Sequence, residues 1–396
     1  MHFSRVARRL IPLYIGKFLL NFVLWYSVEK VFMTTIGFDM ASIGVMVALY
    51  SIISVSFEIP SGILADRWSR KGVMVLAAIA LALSGLVGGL SHTVALFFIS
   101  AILWGIFDAM ASGTADSMIF DTLLEEEGAS DKYEKLIGYY NAVGGIALIA
   151  SALLGGVIGD HFSLRSTFLW SVPVALLAIF FFMRFRDTTI HRQSSETQLL
   201  IHTKQTFSAI FKNTNLTWIL VSLIAVNLFS SIIGEMYQLW YLQINLPVVF
   251  YGIAGALVLS TYGIGGVITQ FFATKRRILA AMVGTLALST LLIFSRNAWI
   301  IILAQFSSGF LAYTLSLALT AQMHRQLPSH VRASSASVTN TVVRLLVIPI
   351  ALVFGWVAQH HSVFAASWIL VGLCVIGIFS EILAHFQRGR AAQVAI

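Results

Sequence analysis

The sequence predicts an all-α membrane protein of twelve transmembrane helices, arranged as two six-helix bundles related by pseudo-symmetry. Three observations predict it. The 396-residue chain is 58% apolar and 11% charged, with a mean hydropathy of +0.87 that exceeds what a soluble globular chain shows. Its apolar residues gather into runs of spanning length. Its basic residues fall almost wholly in alternate gaps between those runs.

A spanning helix needs about 20 mostly apolar residues, because the hydrocarbon core is about 30 Å thick and a helix rises about 1.5 Å per residue. Runs meeting that requirement lie at 10–33, 40–62, 73–91, 94–121, 137–159 and 165–184 in the first half. In the second half they lie at 216–240, 248–272, 278–295, 298–323, 335–358 and 363–385. Run length and the absence of period-two alternation exclude a transmembrane β-barrel. The basic start and apolar first run imitate a signal peptide, but the run is long and no small-residue cleavage site follows, so it reads as a retained first span.

Lys and Arg stay on the cytoplasmic side during insertion. With the N-terminus inside, 20 of the 25 basic residues fall on inner segments, which predicts cytoplasmic N- and C-termini in a multi-pass protein of the cell (inner) membrane. Contact with anionic lipid accounts for the net charge of +8, so no nucleic-acid partner is called for. The single cysteine, Cys374, excludes a disulfide framework or a cysteine-based metal site. No Walker phosphate loop, nucleophile with a base, or metal-spaced His and carboxylate cluster stands out. The expectation is a chain with no cofactor, no metal and no enzymatic activity.

The organisation expected is an N-terminal bundle at 1–184, a cytoplasmic linker at 185–215 and a C-terminal bundle at 216–396. Leu199, Leu200 and Ile201, with Phe207, Ile210 and Phe211, suit a short surface helix within the linker or a disordered tether. Internal similarity supports a duplicated chain. Asn21 and Glu29 recur as Asn227 and Glu235, Asn141 recurs as Asn340, Arg70 and Lys71 recur as Arg276 and Arg277, and Gly156 to Ser163 lines up with Gly355 to Ser362. The offset drifts from 206 to 199 residues.

Between spans 2 and 3 stands a dense charged cluster, with Gly62, Asp66, Arg67, Ser69, Arg70 and Lys71. It resembles the loop of the major facilitator superfamily, whose pattern is Gly-x-x-x-Asp-Arg/Lys-x-Gly-Arg-Arg/Lys, with Ser69 replacing the second glycine. Together with six spans on each side of a linker, the resemblance covers the whole chain. It implies a secondary transporter of a small-molecule substrate, expected as a monomer in the lipid bilayer, working by alternating access. It also implies a cytoplasmic gate, in which Asp66 meets the start of span 11 and Arg70 reaches Asp121 at the inner end of span 4. Gly62 would permit close helix approach, Arg67 and Lys71 complete the cluster, and Glu58 lies one turn away. Fixing topology is the alternative reading of these cations.

Ionisable groups within spans default to the protein interior or a water-filled path. Asp108, Glu29 and Asp116 are the candidates for coupling to protons. Asp108, Ser112 and Asp116 are expected to form one polar stripe along span 4, and Arg344 serves as counter-charge or anion ligand. A purely structural Asp–Arg pair is the alternative. Glu381 is expected to snorkel from the inner end of span 12. Polar and aromatic residues at mid-depth are the candidate substrate ligands: Asn21, Trp25, Tyr26, Trp104, Asn141, Asn227, Glu235, Gln238, Tyr262, Tyr313 and Arg344. Such walls suit a bulky, partly apolar compound, although Trp and Tyr also gather at membrane interfaces.

Drug and proton antiporters of the superfamily often carry Gly-x-x-x-Gly-Pro-x-x-Gly-Gly in span 5. Here the stretch runs from Ala147 through Ser151 and Ala152 to Gly155 and Gly156, keeping small residues but losing the proline and two glycines. The first expectation is proton-coupled export of an amphipathic compound. The alternatives are uptake of a metabolite or organic anion on the same fold, and a non-transporting sensor or scaffold.

Overall fold

A computed structural model describes residues 5–128, 131–188, 213–272, 274–327 and 329–394, without the side chains of 262–268, 270, 329–334, 337 and 388–394. The expected helix within the linker and the side chain of Tyr262 lie outside the described residues. Among the described residues, eleven helices are long and apolar enough to cross a membrane, and Val248–Thr261 is a shorter apolar helix. Helices suit these segments because each backbone amide must be satisfied within its own span when no water is at hand.

The first unit comprises Met1–Gln193 with Leu246–Gly263. Its helices are α1 (Arg5–Asn21), α2 (Glu29–Thr35), α3 (Met40–Arg67), α4 (Arg70–Leu90), α5 (Val94–Ala111), α6 (Thr114–Glu127), α7 (Tyr133–His161) and α8 (Leu164–Arg184). Local chemistry sets many of the starts. Asp39 and Ser42 form a capping box on α3, and the hydroxyls of Ser69, Thr93 and Ser163 cap α4, α5 and α8. The helix α10 (Val248–Ile268) joins this unit through its first part. There Gly156 and Gly252 bring backbones together, so that a methyl on Gly156 would stand 2.6 Å from the Gly252 α-carbon. Ala152, Ala256 and Leu259 form a buried cluster beside them.

The second unit comprises Ser194–Asn245 with Ile264–Ile396. It holds α9 (Thr214–Gln243), α11 (Lys275–Phe294), α12 (Ala298–His324), α13 (Ser329–His360) and α14 (Val363–Val394). Pairings repeat between the units. In the first, α1 packs on α7 and α8, and α4 on α5 and α8; in the second, α9 packs on α13 and α14, and α11 on α12 and α14. Four helix pairings thus recur from one unit to the other.

Two spans of the first half differ from the continuous helices expected. Span 1 breaks after Asn21 into a single 3₁₀ turn, Leu24–Ser27, before α2 resumes at Glu29. The break is held from outside: the Leu24 N–H donates to Ser171 Oγ at 3.0 Å, and Ser27 Oγ donates to the Ala152 carbonyl at 3.0 Å. Span 4 breaks at Gly113, whose φ of 69° lies in the left-handed region that glycine adopts without strain. That turn interrupts the polar stripe expected from Asp108 through Ser112 to Asp116. Ser112 ends α5, whereas Asp116 belongs to α6.

Apolar packing in the first unit centres on Phe168. Trp25 stacks on it at 5.0 Å, Phe32 lies at 4.8 Å and Phe97 at 5.9 Å. Gly88 and Gly89 of α4 allow Phe168 and Leu169 to approach closely. This is the small-against-large packing that holds helices together where lipid removes the hydrophobic drive.

Candidate functional site

At the end of the first unit that carries the N-terminus, the charged loop is tied down by a network. Arg70 donates to Asp121 and stands 3.6 Å from Asp66. Ser69, where the family pattern has glycine, uses its hydroxyl twice. It accepts from the Gly72 N–H at 2.9 Å, capping α4, and donates to Asp187 Oδ2 at 2.7 Å. Arg9 donates to Glu125 and Glu126 at 3.0 and 2.7 Å and to the Arg186 and Asp187 carbonyls at 3.2 and 3.1 Å. The loop, span 1, span 4 and the segment after span 6 thus share one polar cluster. Arg67 is exposed, and Glu58 and Lys71 are half-buried. Gly62 serves no close approach among the described residues, since a methyl there would meet nothing within 4 Å.

Deeper in the same unit, Asp108 is half-buried in the last turn of α5. Ser54 of α3 donates to its Oδ2 at 2.6 Å. Glu29 pairs with its neighbour Lys30 at 2.5 Å, and the Lys30 side chain is buried. Trp25 is 3% exposed, and Trp104 meets it edge-on at 6.2 Å while also lying 6.1 Å from Tyr26. Trp25 is therefore a packing residue, whereas Tyr26 and Trp104 keep accessible surface. Asn141 is exposed on α7. Asn21 stands against Gly144, whose missing Cβ would lie 2.9 Å from the Asn21 amide nitrogen.

One group here escaped the sequence reading. Lys17 sits in the interior of α1, its Nζ 5.0 Å from the centroid of the Tyr140 ring and within electrostatic range of Asp116. The signal that could have found it was already in use for the carboxylates: an ionisable group far inside a span.

In the second unit, Asn227 is held by two bonds, accepting from Ser316 Oγ and donating to the Leu223 carbonyl, both at 2.8 Å. Glu235, Tyr313 and Arg344 are half-buried on α9, α12 and α13. Gln238 is 2% exposed within a packed region where Tyr241 donates to Gln305 and Gln305 donates to the Tyr237 carbonyl at 3.2 Å. Glu381 does not snorkel. It is 3% exposed and accepts from Gln322 Nε2 at 3.1 Å, because α14 turns that face toward α12 and a polar donor waits there. A small, partly open apolar pocket in this unit is lined by residues including Phe229, Met282, Leu315 and Leu373 beside Cys374.

Comparison with known proteins narrows the reading. The sequence profile of the Major Facilitator Superfamily matches residues 10–351. The tetracycline resistance protein, class B, of Escherichia coli is 24% identical over 85% of each chain. The methyl viologen resistance protein SmvA of Salmonella typhimurium is 28% identical over 34% of this chain and 26% of its own. Multidrug resistance protein 3 of Bacillus subtilis is 28% identical over 33% and 25%. Among solved structures, the nucleoside transporter NupG superposes with a TM-score of 0.76 at 17% identity, covering 94% of this chain and 98% of that one.

Proposed function

Because the chain belongs to the Major Facilitator Superfamily, we propose that it is a proton-coupled exporter of an amphipathic compound, working by alternating access as a monomer in the inner membrane with both termini in the cytoplasm. The observation that carries the direction is the match to the class B tetracycline resistance protein along 85% of both chains. Shorter matches to SmvA and to multidrug resistance protein 3 point the same way.

Asp108 is the coupling acid of this reading. A carboxylate inside a span is costly to hold charged, and a neighbouring hydroxyl such as Ser54 can serve either protonation state, donating to the anion or accepting from the acid. Loading and release of the proton then follow the side of the membrane from which water reaches Asp108. Glu29 and Asp116 are secondary candidates, since each already has a basic neighbour in Lys30 and Lys17. Asn21, Tyr26, Trp104 and Asn141 in the first half, and Asn227, Glu235, Tyr313 and Arg344 in the second, supply the groups that meet the solute. Asp66, Arg70 and Asp121 form the cytoplasmic gate, with Asp121 as the fixed acceptor.

The test uses purified protein in liposomes loaded with a pH-sensitive dye, with tetracycline, methyl viologen and puromycin as probes. Export coupled to protons predicts that at least one probe moves against its gradient while protons move the opposite way. Uptake of a probe together with protons would replace this reading with symport.

A further inference from the structure

The geometry points to Lys17 as an anion-recognition residue, so that the exported compound carries an anionic head on a flat apolar body; this rests on the export reading above. Lys17 lies twelve residues after Arg5 in α1, about 18 Å along the helix axis, so its ammonium sits far from either end of the span. Lys17 is half-buried, and taking an ammonium partly out of water is costly unless its three N–H donors are met. Among the described residues none of them is. Its neighbours are the face of Tyr140 at 5.0 Å and the field of Asp116, which is not within ion-pair contact.

Asn21 follows one turn later and shares the face of α1 with Lys17. Its amide also has no hydrogen-bond partner among the described residues. Both side chains press on the same point of α7, Gly144, where a Cβ would stand 2.7 Å from Lys17 Cε and 2.9 Å from Asn21 Nδ2. Two aromatic pairs involve this stretch of α1, of which the tyrosine pair includes the Tyr140 ring beneath Lys17. Tyr14 and Tyr140 lie with ring centroids 6.0 Å apart, and Phe18 stacks on Phe22 at 5.7 Å.

Unmet donors of one sign, set among aromatic faces, are complementary to a carboxylate, sulfonate or phosphate attached to a ring system. Asp116 offsets the positive charge of Lys17 from within electrostatic range. It also competes with the ligand, since its own negative charge lies in the same field.

The experiment measures binding to the full chain in detergent by titration calorimetry, with 1-naphthoate, its neutral amide and 1-naphthylmethylammonium as isosteric probes. The wild type should bind naphthoate about tenfold or more tighter than the amide. Lys17→Met should abolish that preference while leaving amide binding in place, and Lys17→Arg should keep it. Asp116→Asn should tighten naphthoate about threefold or more by removing the competing charge. That opposite sign separates recognition from a merely structural role. Failure of naphthoate to bind the wild type, equal binding of acid and amide, or a preference that survives Lys17→Met would overturn the assignment. Binding is read without transport, so the export reading can stand if this inference falls.

Discussion

Gly155 offers a graded test of how span 5 holds the broken span 1. A methyl at this position would stand 2.0 Å from the Leu24 carbonyl oxygen and 3.0 Å from its carbon. The oxygen distance is a full ångström inside the 3.0 Å below which Cβ contacts are essentially never seen. The obstacle is backbone, which cannot rotate away, and it belongs to the 3₁₀ turn pinned by Ser171 and Ala152. Overpacking of this kind costs about 1–3 kcal/mol. Replacing glycine by alanine inside a helix also returns about 1 kcal/mol of propensity, so Gly155→Ala alone understates the clash. Gly145→Ala removes that ambiguity, because its methyl would meet nothing within 4 Å and it lies in the same helix. The propensity gain cancels between the two variants, which leaves Gly155→Ala about 1–3 kcal/mol less stable than Gly145→Ala. Thermal unfolding of both in one detergent, followed by intrinsic fluorescence, gives the difference. Equal midpoints would refute the claim that span 5 clasps the break through Gly155.

Three further outcomes follow from the same geometry. Ser171→Ala strands the Leu24 N–H and should destabilise the protein by about 1–3 kcal/mol, measured by chemical denaturation, with Ser171→Thr largely restoring it. Ser69→Ala removes both the cap on α4 and the donor to Asp187, so a loss of about 1–2 kcal/mol is expected in the same assay. Ser69→Gly loses the Asp187 bond while capping nearly as well, so it should fall between Ser69→Ala and the wild type. Asp121→Asn leaves the Arg70 guanidinium without its closest anion; accelerated cysteine labelling at a reporter placed near Arg67 would register the loosened loop, and an unchanged rate would remove Asp121 from the gate.

Much of the fold was legible because a bilayer imposes long apolar runs, and because charges cannot cross it cheaply. The contact of Arg70 with Asp121 was legible through the resemblance of the charged loop to the family pattern. The break in span 1 was not legible. Leu24, Trp25, Tyr26 and Ser27 contain neither glycine nor proline, and the turn is fixed by Ser171 and Ala152, more than a hundred residues away. The break in span 4 had a local marker in Gly113, which a reading by hydropathy alone passes over. Glu381 and Gln238 show the same limit from another side. Depth in a span is visible in sequence, but which face of the helix meets a neighbour is decided by packing, as with Gln322 against Glu381.

Lys17 was missed for a different reason. Of the cations within spans only Arg344 was weighed beside the carboxylates, which left out Lys17, although it lies in one field with Asp116. Symmetric treatment of both signs would have placed Lys17 beside Asn21 on the same helical face.

The central claim is that Asp108 links proton movement to solute export, and the most direct measurement compares two modes of transport in the wild type and in Asp108→Asn. In liposomes, gradient-driven accumulation of a transported probe requires the coupling acid, whereas counterflow exchange of the same probe at equal pH does not. The account predicts that Asp108→Asn loses accumulation and retains counterflow. Accumulation that persists in Asp108→Asn at the wild-type rate would contradict it.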